Sequence, residues 1–282
     1  MRLSVRVVVE NSASLDNAGL WSQHGLCIFV KFDLGADRLK VLMDTGSSPE
    51  VTLHNLDALS IDPKEIDFMF LSHGHYDHTG GLIGVLKRIN RRVPVLAHPE
   101  VFSPKMKDLP FLKFIGPPFS RADAENAGAV MLQCRSPVSL ANSVKTSGEI
   151  ERVVPFETVE GFWTVKGGSY IPDSMPDDQA LVANIGDKGL VVISGCAHAG
   201  IVNTIRHAQK LMGVNDVYAV IGGFHLVGSK EERIASTAQA LLELDPAIVR
   251  PGHCSGQKAM FLLQQTLGDR CQPLATGDLI EL

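Results

Sequence analysis

The first third of the chain alternates short apolar runs with segments of helical periodicity. β-Branched and apolar residues recur in short runs over residues 2–10 and 25–44, and residues 66–71 form a continuous apolar run of strand length. Both patterns predict β-strands. Ser48, followed by proline, is typical of a helix start, and a second helical pattern covers residues 82–89. The sequence therefore predicts strands that are covered by helices.

The second half repeats this alternation more regularly. Apolar runs predict strands at residues 180–185, 190–194, 217–221 and 248–250, and helical spacing predicts helices at 201–212, 231–244 and 255–267. Residues 99–176 are irregular and rich in proline and glycine, which is typical of a functional cap or lid. Two halves of strands and helices with one insertion predict an α/β (α+β) protein, a four-layer αββα sandwich. Residues 1–282 then form a single domain that contains the insertion.

Composition narrows the class of protein. The 282 residues are 45% hydrophobic and 20% charged, as in ordinary folded proteins, and the formal charge of −5 argues against nucleic acid as a partner. The five cysteines are scattered without a C-x-x-C pair, which favours free thiols in a reducing compartment. The N-terminal residues contain no signal-peptide core, and no apolar run is long enough to cross a membrane. We therefore expect a cytoplasmic protein without a membrane partner.

Residues 71–81, with the sequence LSHGHYDHTGG, contain the strongest chemical signal. They follow an apolar run and precede a helical pattern, so they form a strand-to-helix turn. In an extended segment His73 and His75 project to the same side and can bind one ion. Asp77 and His78 follow at the turn and offer an oxygen and a nitrogen to a second ion. These four residues, here called the histidine cluster, are predicted to begin a two-metal site.

Three later histidines stand at the ends of predicted strands. The segments VVISGCAHAG, YAVIGGFHL and IVRPGHCSG place His198, His225 and His253 after an apolar run and beside glycine. Because the ends of neighbouring strands meet at one edge of a sheet, we predict that these histidines converge. One such histidine alone is more commonly a packed residue. Three in the same arrangement favour a shared site.

The pattern H-x-H-x-D-H after an apolar strand resembles the signature of the metallo-β-lactamase superfamily, and MDTGSS around Asp44 resembles its first motif. The resemblance implies the fold of that superfamily and two divalent metal ions. Zinc suits nitrogen-rich ligands, with manganese and iron as alternatives. The resemblance also implies that Asp44 supports the metal ligands by hydrogen bonding. The alternative is that Asp44 is a turn residue. The implied metal ligands are His73, His75, Asp77, His78, His198 and His253, and the predicted catalytic residues are Asp77 and His198.

One strand end departs from the pattern of the superfamily. Most members have a bridging aspartate there, but in this chain VVISG is followed by Cys196. A cysteine can bind zinc as a thiolate or simply be buried. Asp178 precedes the strand before Cys196 and could ligate metal, cap the strand or contact substrate. Both residues are therefore predicted either to bind metal or to support the ligands.

The segments SGCAHAGIVNTI, IGGFHLVG and PGHCSG resemble the branch of the superfamily named for 7,8-dihydropterin-6-methyl-4-(β-D-ribofuranosyl)aminobenzene 5′-phosphate synthase. The branch name implies condensation of a pterin methyl diphosphate with an arylamine ribose phosphate, with loss of diphosphate, in methanopterin biosynthesis. The metal ions of such a transferase would clamp the diphosphate. In a hydrolase they would activate water against a small ester or phosphodiester. A third alternative is a binding protein that has the fold without turnover.

Substrate contacts are expected around the predicted metal site. WSQHGLCIF and VLAHPEVF also resemble the branch, which implies that His24 and His98 face the pocket, the alternative for each being a structural histidine. His225 and Arg121 are further candidates for contact with a small-molecule substrate, either phosphorylated or pterin-like. Cations of the insertion such as Lys105 are expected either to meet a phosphate or to be solvated. The sequence leaves the oligomeric state open.

Overall fold

The computed structural model describes residues 1–14 and 19–282. In chain order its strands are β1 (Arg2–Val9), β2 (Cys27–Asp33), β3 (Arg38–Met43), β4 (Phe68–Phe70), β5 (Val93–Ala97), β6 (Met106–Lys107), β7 (Lys113–Phe114), β8 (Ala129–Gln133), β9 (Ser139–Ala141), β10 (Val144–Thr146), β11 (Phe162–Lys166), β12 (Ser169–Pro172), β13 (Ala180–Asn184), β14 (Leu190–Ser194), β15 (Val217–Gly223), β16 (Ile248–Gly252) and β17 (Leu279–Glu281). Its α-helices are α1 (Pro49–Ala58), α2 (Tyr76–Thr79), α3 (Leu82–Ile89), α4 (Arg121–Asn126), α5 (Ile201–Met212), α6 (Glu231–Leu244) and α7 (Gln257–Leu267). Short 3₁₀ helices cover Pro63–Glu65, Pro99–Phe102, Gly186–Lys188, His253–Ser255 and Gly268–Arg270.

These elements form two compact units, each with its own sheets. The first unit comprises Met1–Cys134, Glu160–Asp177 and Ala275–Leu282. The second unit comprises Arg135–Val159 and Asp178–Leu274. The chain therefore enters and leaves the first unit more than once, and each unit has a core of its own.

The first unit is built on a seven-stranded mixed sheet in the order β17-β1-β2-β3-β4-β5-β8. The strands β17, β1, β2 and β3 pair antiparallel, whereas β3, β4, β5 and β8 run parallel. Alternation along β1 buries Leu3, Val5 and Val7. In β4 the residues Met69 and Phe70 are fully buried, as expected for a central strand.

Helices α1 and α3 contribute to the core of the first unit. Helix α1 begins as predicted, because Ser48 accepts a hydrogen bond from the Val51 amide and proline occupies the first turn. Helix α3 ends at Asn90 in the left-handed conformation. Apolar residues of both helices pack with strand residues; the core includes Leu56, Leu82, Val85, Leu86, Ile89, Val8, Phe29 and Leu42. Burial of each such side chain contributes about 1.5–3 kcal/mol.

The predicted insertion, residues 99–176, is more regular than its composition suggested. Strands β6, β7, β11 and β12 form a separate four-stranded antiparallel sheet in the first unit. Strand β8 extends the seven-stranded sheet as its parallel edge. Strands β9 and β10 belong to the sheet of the second unit. The function of this segment as a cap or lid stays a prediction.

The second unit is built on a six-stranded sheet in the order β16-β15-β14-β13-β10-β9. Strand β13 pairs antiparallel with β10 and β14, and β14, β15 and β16 run parallel. All five residues of β14 are buried, as expected for a strand inside a sheet. Helices α5, α6 and α7 supply apolar residues to this core, among them Ile201, Ile205, Leu241 and Leu263.

A buried carboxylate fixes the start of helix α5. Glu157 accepts hydrogen bonds from the amides of Val202 at 2.9 Å and Asn203 at 2.7 Å. These amides are in the first turn, where the backbone donors have no partner within the helix. A side chain at Gly200 would collide with Glu157, and the φ of Gly200 is +99°. These contacts therefore fix the backbone conformation just after His198.

The predicted elements of the second half agree with the structure to within two residues at each end. The helix predicted from residue 255 begins at Gln257, because the 3₁₀ helix His253–Ser255 and Gly256, with φ +79°, precede it. The strand predicted at 66–71 is shorter, because Ile66 still caps the 3₁₀ helix Pro63–Glu65. Along the described residues no helix is both long and apolar enough to span a membrane. The mixed α/β class predicted from the sequence is confirmed.

Candidate metal centre

In the first unit, the parallel strands end beside residues that can bind or orient a metal ligand. Strand β3 is followed by Asp44, β4 by the histidine cluster and β5 by His98. The register places Met43 beside Phe70, and Phe70 beside Leu96, so the three strands end nearly level. Side chains at the carboxyl ends of parallel strands share one edge of the sheet. The sequence motif and Asp44 are therefore brought together by β-sheet geometry.

The histidine cluster is compact and buried. His73 Nε2 lies 3.0 Å from His75 Nδ1, as expected for two side chains that project to the same side. The rings of His73 and His78 are 4.2 Å apart between centroids. Asp77 and His78 are in the short helix α2, which begins after His75. All four side chains are buried, and the exposure of Asp77 is 7%.

Asp44 supports this cluster by hydrogen bonding. Its Oδ2 atom lies 2.7 Å from His78 Nδ1 and accepts a bond of 2.7 Å from the Ser72 hydroxyl. Its Oδ1 atom accepts a bond of 2.8 Å from the Ser72 amide. Ser72 Oγ is in turn 2.9 Å from His73 Nδ1. A carboxylate on one ring nitrogen fixes the orientation of a histidine whose other nitrogen binds a metal. This geometry is the one predicted for Asp44 as a support of the ligands.

The donor set of the cluster fits a divalent metal ion. Burial, and next the charges of His78 and His75, hold the pKa of the His73 ring well below its usual value. His73 is therefore neutral at neutral pH, which is the form of imidazole that binds metal. Nitrogen-rich sites with a carboxylate suit zinc and its neighbours among the divalent ions.

The predicted substrate contacts of the first unit lie in different surroundings. His24 is exposed, and its Nε2 atom is 3.2 Å from Asp77 Oδ2. His98 is buried, and its Nδ1 atom accepts a hydrogen bond from the Glu100 amide, so it caps the 3₁₀ helix that follows. Arg121 is exposed and binds Glu125 and a glutamine of strand β8. The structure thus brings His24 to the histidine cluster and gives His98 a local structural partner.

A buried ion network, missed by the sequence analysis, holds the loop of the histidine cluster. Asp177 Oδ2 accepts a hydrogen bond of 2.9 Å from the amide of Gly74, which lies between His73 and His75. Lys105 Nζ lies 2.5 Å from Asp177 Oδ1 and 3.0 Å from Asp173 Oδ2. A side chain at Gly74 would collide with the carbonyl of Val101. Lys105, Asp173 and Asp177 are here called the ion network.

Lys105 remains charged within the ion network. Burial alone would lower the pKa of its ammonium group, but Asp177 and Asp173 raise this pKa above its usual value. Lys105 is 1% exposed. The expectation that it meets a phosphate or is solvated is therefore wrong, because two aspartates surround it. Sequence alone gave no signal for this pairing, since these residues are about 70 positions apart.

In the second unit, the three parallel strands also end in donor side chains. Cys196 and His198 follow β14, His225 follows β15, and His253 and Cys254 follow β16. The register aligns the ends of neighbouring strands, with Ser194 beside Gly222 and Gly223 beside Gly252. The convergence predicted for these strand ends is thus present within this unit.

Cys196, His225 and Cys254 form a second group of donors, here called the thiol–histidine cluster. Each offers one atom, and these three atoms lie within 4.8 Å of one another. The His225 amide donates to Cys254 Sγ at 3.3 Å, and this thiol donates to the Cys196 carbonyl at 3.5 Å. Both cysteines are buried and His225 is half-buried. Cys254 was missed by the sequence analysis as a functional residue, although PGHCSG places it directly after His253.

Residues next to the thiol–histidine cluster also have defined contacts. The rings of His198 and His225 are 4.1 Å apart between centroids. Asp178 Oδ2 accepts a hydrogen bond of 2.9 Å from the Ala199 amide, so it holds the turn that carries His198. Burial opposes ionisation of the Cys254 thiol, but side-chain hydrogen bonds with Cys196 and His225 and the charges of His253 and His225 hold its pKa well below the usual range.

The fold and the sequence can now be compared with those of known proteins. Residues 24–162 match the metallo-beta-lactamase superfamily, and the chain belongs to that superfamily. The fold type predicted from the sequence is confirmed by a solved structure described as a metal-dependent hydrolase of the beta-lactamase superfamily. It has a TM-score of 0.83 and 26% identity, with 99% of each chain covered. A metallo-beta-lactamase fold protein from Bacillus subtilis has a TM-score of 0.58 and 11% identity, with 100% of each chain covered.

The branch predicted within the superfamily is also confirmed. The chain is 36% identical over 271 residues to a protein of Methanocaldococcus jannaschii named 7,8-dihydropterin-6-methyl-4-(beta-D-ribofuranosyl)-aminobenzene-5'-phosphate synthase. The match covers 94% of this chain and 92% of the relative. A second protein of the same organism, described as uncharacterized, is 28% identical and matches 93% of this chain and 94% of its own.

Proposed function

We propose that the protein is a metal-dependent enzyme for a small phosphorylated substrate, and that it is a synthase of the dihydropterin ribofuranosylaminobenzene phosphate type. The observation that supports metal dependence is the buried histidine cluster, with Asp44 bonded to His78 and, through Ser72, to His73. The proposed reaction rests on the 36% identity to the relative with that name. The substrates are then a dihydropterin methyl diphosphate and an arylamine ribose 5′-phosphate.

The predicted ligands His73, His75, Asp77 and His78 would hold divalent metal in the first unit, and we propose that His198 and His253 of the second unit also bind metal. Two ions are proposed, zinc by preference and manganese or iron as alternatives. Bound metal neutralises charge on a leaving diphosphate or lowers the pKa of water. Cys196 and Asp178 stay predicted ligands or supports of ligands.

The side chains around the ligands have defined tasks in this proposal. Asp44 and Ser72 orient the rings of His78 and His73, so that the ligands need little rearrangement when metal binds. Asp77, beside His24 at 3.2 Å, is the proposed catalytic carboxylate and can hold a proton at Oδ2. His198 is the second proposed catalytic residue. His24, His98, His225 and Arg121 stay predicted substrate contacts.

A hydrolase of a small ester or phosphodiester is the second candidate. It is supported by the solved structure described as a metal-dependent hydrolase, which is 26% identical over nearly the whole chain. For this reaction the same donors would hold a metal ion that would lower the pKa of the attacking water. A protein that binds a ligand without turnover is the third possibility considered from the sequence. The cytoplasmic location and the small-molecule partner stay predictions.

Reconstitution with metal tests the proposal. The purified protein is stripped with a chelator, loaded with Zn²⁺, Mn²⁺ or Fe²⁺, and incubated with both substrates of the synthase. We expect the loaded protein to form the condensed product and release diphosphate, measured by mass spectrometry. Hydrolysis of bis(p-nitrophenyl) phosphate without condensation would support the hydrolase. If the protein retained no metal after reconstitution, this result would contradict the proposal that it is a metal-dependent enzyme.

A further inference from the structure

The second unit contains two thiols and an imidazole that are not among the six residues proposed above as metal ligands. Cys196 Sγ, Cys254 Sγ and a ring nitrogen of His225 lie within 4.8 Å of one another. They come from the ends of three parallel strands, so β-sheet geometry holds them near one point. Sulfur and imidazole nitrogen together are the ligands that zinc and other thiophilic metals prefer.

We infer that the thiol–histidine cluster binds one thiophilic divalent cation, Zn²⁺ by preference, through Cys196, Cys254 and His225. The inference goes beyond the proposed function and does not depend on it, since these three ligands lie in one unit and none belongs to the histidine cluster. On binding, the two thiols release their protons to solvent, and the two thiolates balance the charge of the cation. His225 then acts as a ligand, and this assignment replaces the predicted contact with substrate.

The backbone around the cluster supports a metal site. The amide of His225 points at Cys254 Sγ from 3.3 Å, and an amide donor of this kind stabilises a thiolate. A side chain at Gly223 would come within 2.7 Å of Cys254 Sγ, so only glycine lets the sulfur approach the end of strand β15. His225 itself has a φ of +45°. Such a conformation is uncommon for residues other than glycine, and it occurs at helix ends such as Asn90 as well as at functional sites.

The other buried cysteines show what ordinary burial looks like in this protein. Cys27 and Cys271 are 0% and 2% exposed, comparable with Cys196 and Cys254. Neither of them belongs to a group of three metal-binding side chains among the residues that the structure describes. A buried free cysteine is usually a small apolar residue. The convergence of two thiols and an imidazole sets the thiol–histidine cluster apart from that case.

Cobalt provides the test, because thiolate ligands give Co²⁺ an intense ligand-to-metal charge-transfer band in the near ultraviolet that nitrogen and oxygen ligands do not. The metal-stripped full-length protein is titrated with Co²⁺ under reducing conditions. We expect the band in the wild type, about half of its intensity or less in Cys254→Ser and in Cys196→Ser, and its loss in the double variant. Cys271→Ser, a matched change at a buried cysteine outside the cluster, should keep the band at full intensity.

The histidine cluster provides the second control. His75→Ala should weaken metal binding at the histidine cluster and still show the full charge-transfer band. Failure of the proposed function would therefore leave the result for the thiol–histidine cluster unchanged. If the cysteine variants do not fold, X-ray absorption of the zinc-loaded wild type replaces them, with a shell of sulfur neighbours expected. Cobalt bound without the band, a band of full intensity in Cys254→Ser, or a zinc spectrum without sulfur would overturn the inference.

Discussion

The two groups of donors differ in how they are assembled. The histidine cluster lies within six consecutive residues, and a turn between strand β4 and helix α2 is enough to gather it. The thiol–histidine cluster draws on three strand ends that lie about 30 residues apart along the chain, as the His225 to Cys254 contact shows. The first group could therefore be recognised as a motif, whereas the second exists only after β14, β15 and β16 have paired.

The supports of the two groups differ as well. The histidine cluster rests on charged and polar side chains: Asp44 and Ser72 hold its rings, and the ion network holds the amide of Gly74. The thiol–histidine cluster rests on the backbone, with left-handed φ values at Ala197 and His225 and main-chain groups bonded to Cys254. Nitrogen and oxygen ligands are oriented through their second polar atom. A thiol has no second polar atom, so the backbone must place it.

The largest effect is expected from His75→Ala. Loss of this ring removes a predicted ligand of the first metal, so metal-dependent turnover should fall below detection while the fold is kept. Turnover and bound metal are measured together on the reconstituted protein. His54→Ala, in helix α1 outside the histidine cluster, is the control and should keep both. Normal turnover with normal metal content in His75→Ala would refute the ligand assignment.

The next largest effect is expected from breaking the ion network, and it concerns the stability of the first unit. Lys105→Met leaves Asp173 and Asp177 buried without a cation, and removal of one partner from a buried ion pair costs about 3–5 kcal/mol. The free energy of unfolding is measured by denaturant titration of the metal-free protein. Lys107→Met, at an exposed position two residues away, should change it by less than about 0.5 kcal/mol. Equal stability of the two variants would show that the ion network is unimportant.

A smaller effect is expected at Asp44. Asp44→Asn keeps the shape of the side chain but weakens its bond to His78, so metal affinity should fall by roughly 10- to 100-fold. Competition with a chelator measures this affinity. Asp57→Asn, an exposed change in helix α1, is the matched control. If Asp44→Asn bound metal as tightly as the control, Asp44 would be a turn residue only.

The smallest effect concerns a buried thiol outside both clusters. Burial raises the pKa of Cys271 to about 11, with Arg250 acting in the opposite direction. The folded state therefore binds this proton more tightly than the unfolded state does. Its contribution to stability is complete below the usual pKa of a thiol and declines as the pH rises toward about 11. Between pH 8 and 11, a range that spans the usual thiol pKa of about 8.5 and the raised pKa of Cys271, the free energy of unfolding should decline less steeply in Cys271→Ser than in the wild type.

A comparison of the predicted with the observed helices and side-chain contacts shows which features can be predicted from the sequence. Helices α5 and α6 match their predicted bounds, because their apolar spacing and flanking glycine or polar residues are local signals. The placement of Asp44 beside His78 agrees with the motif that MDTGSS resembles. Cys254 and Asp177 were missed, because neither a single cysteine nor one of two adjacent aspartates has a periodic or spacing signal that indicates its contacts. Lys105 was misread, because composition shows a cation in a loop but not the two aspartates around it.

The sequence by itself determined most of the strands and helices outside residues 99–176, the histidine cluster and the branch of the superfamily. These follow from local periodicity, from a motif within six residues and from similarity along nearly the whole chain. Only the tertiary structure decided that Asp177 holds Gly74 and that Cys254 joins Cys196 and His225. Both depend on contacts between residues far apart in sequence, whose positions are fixed by strand pairing and burial and not by their neighbours along the chain.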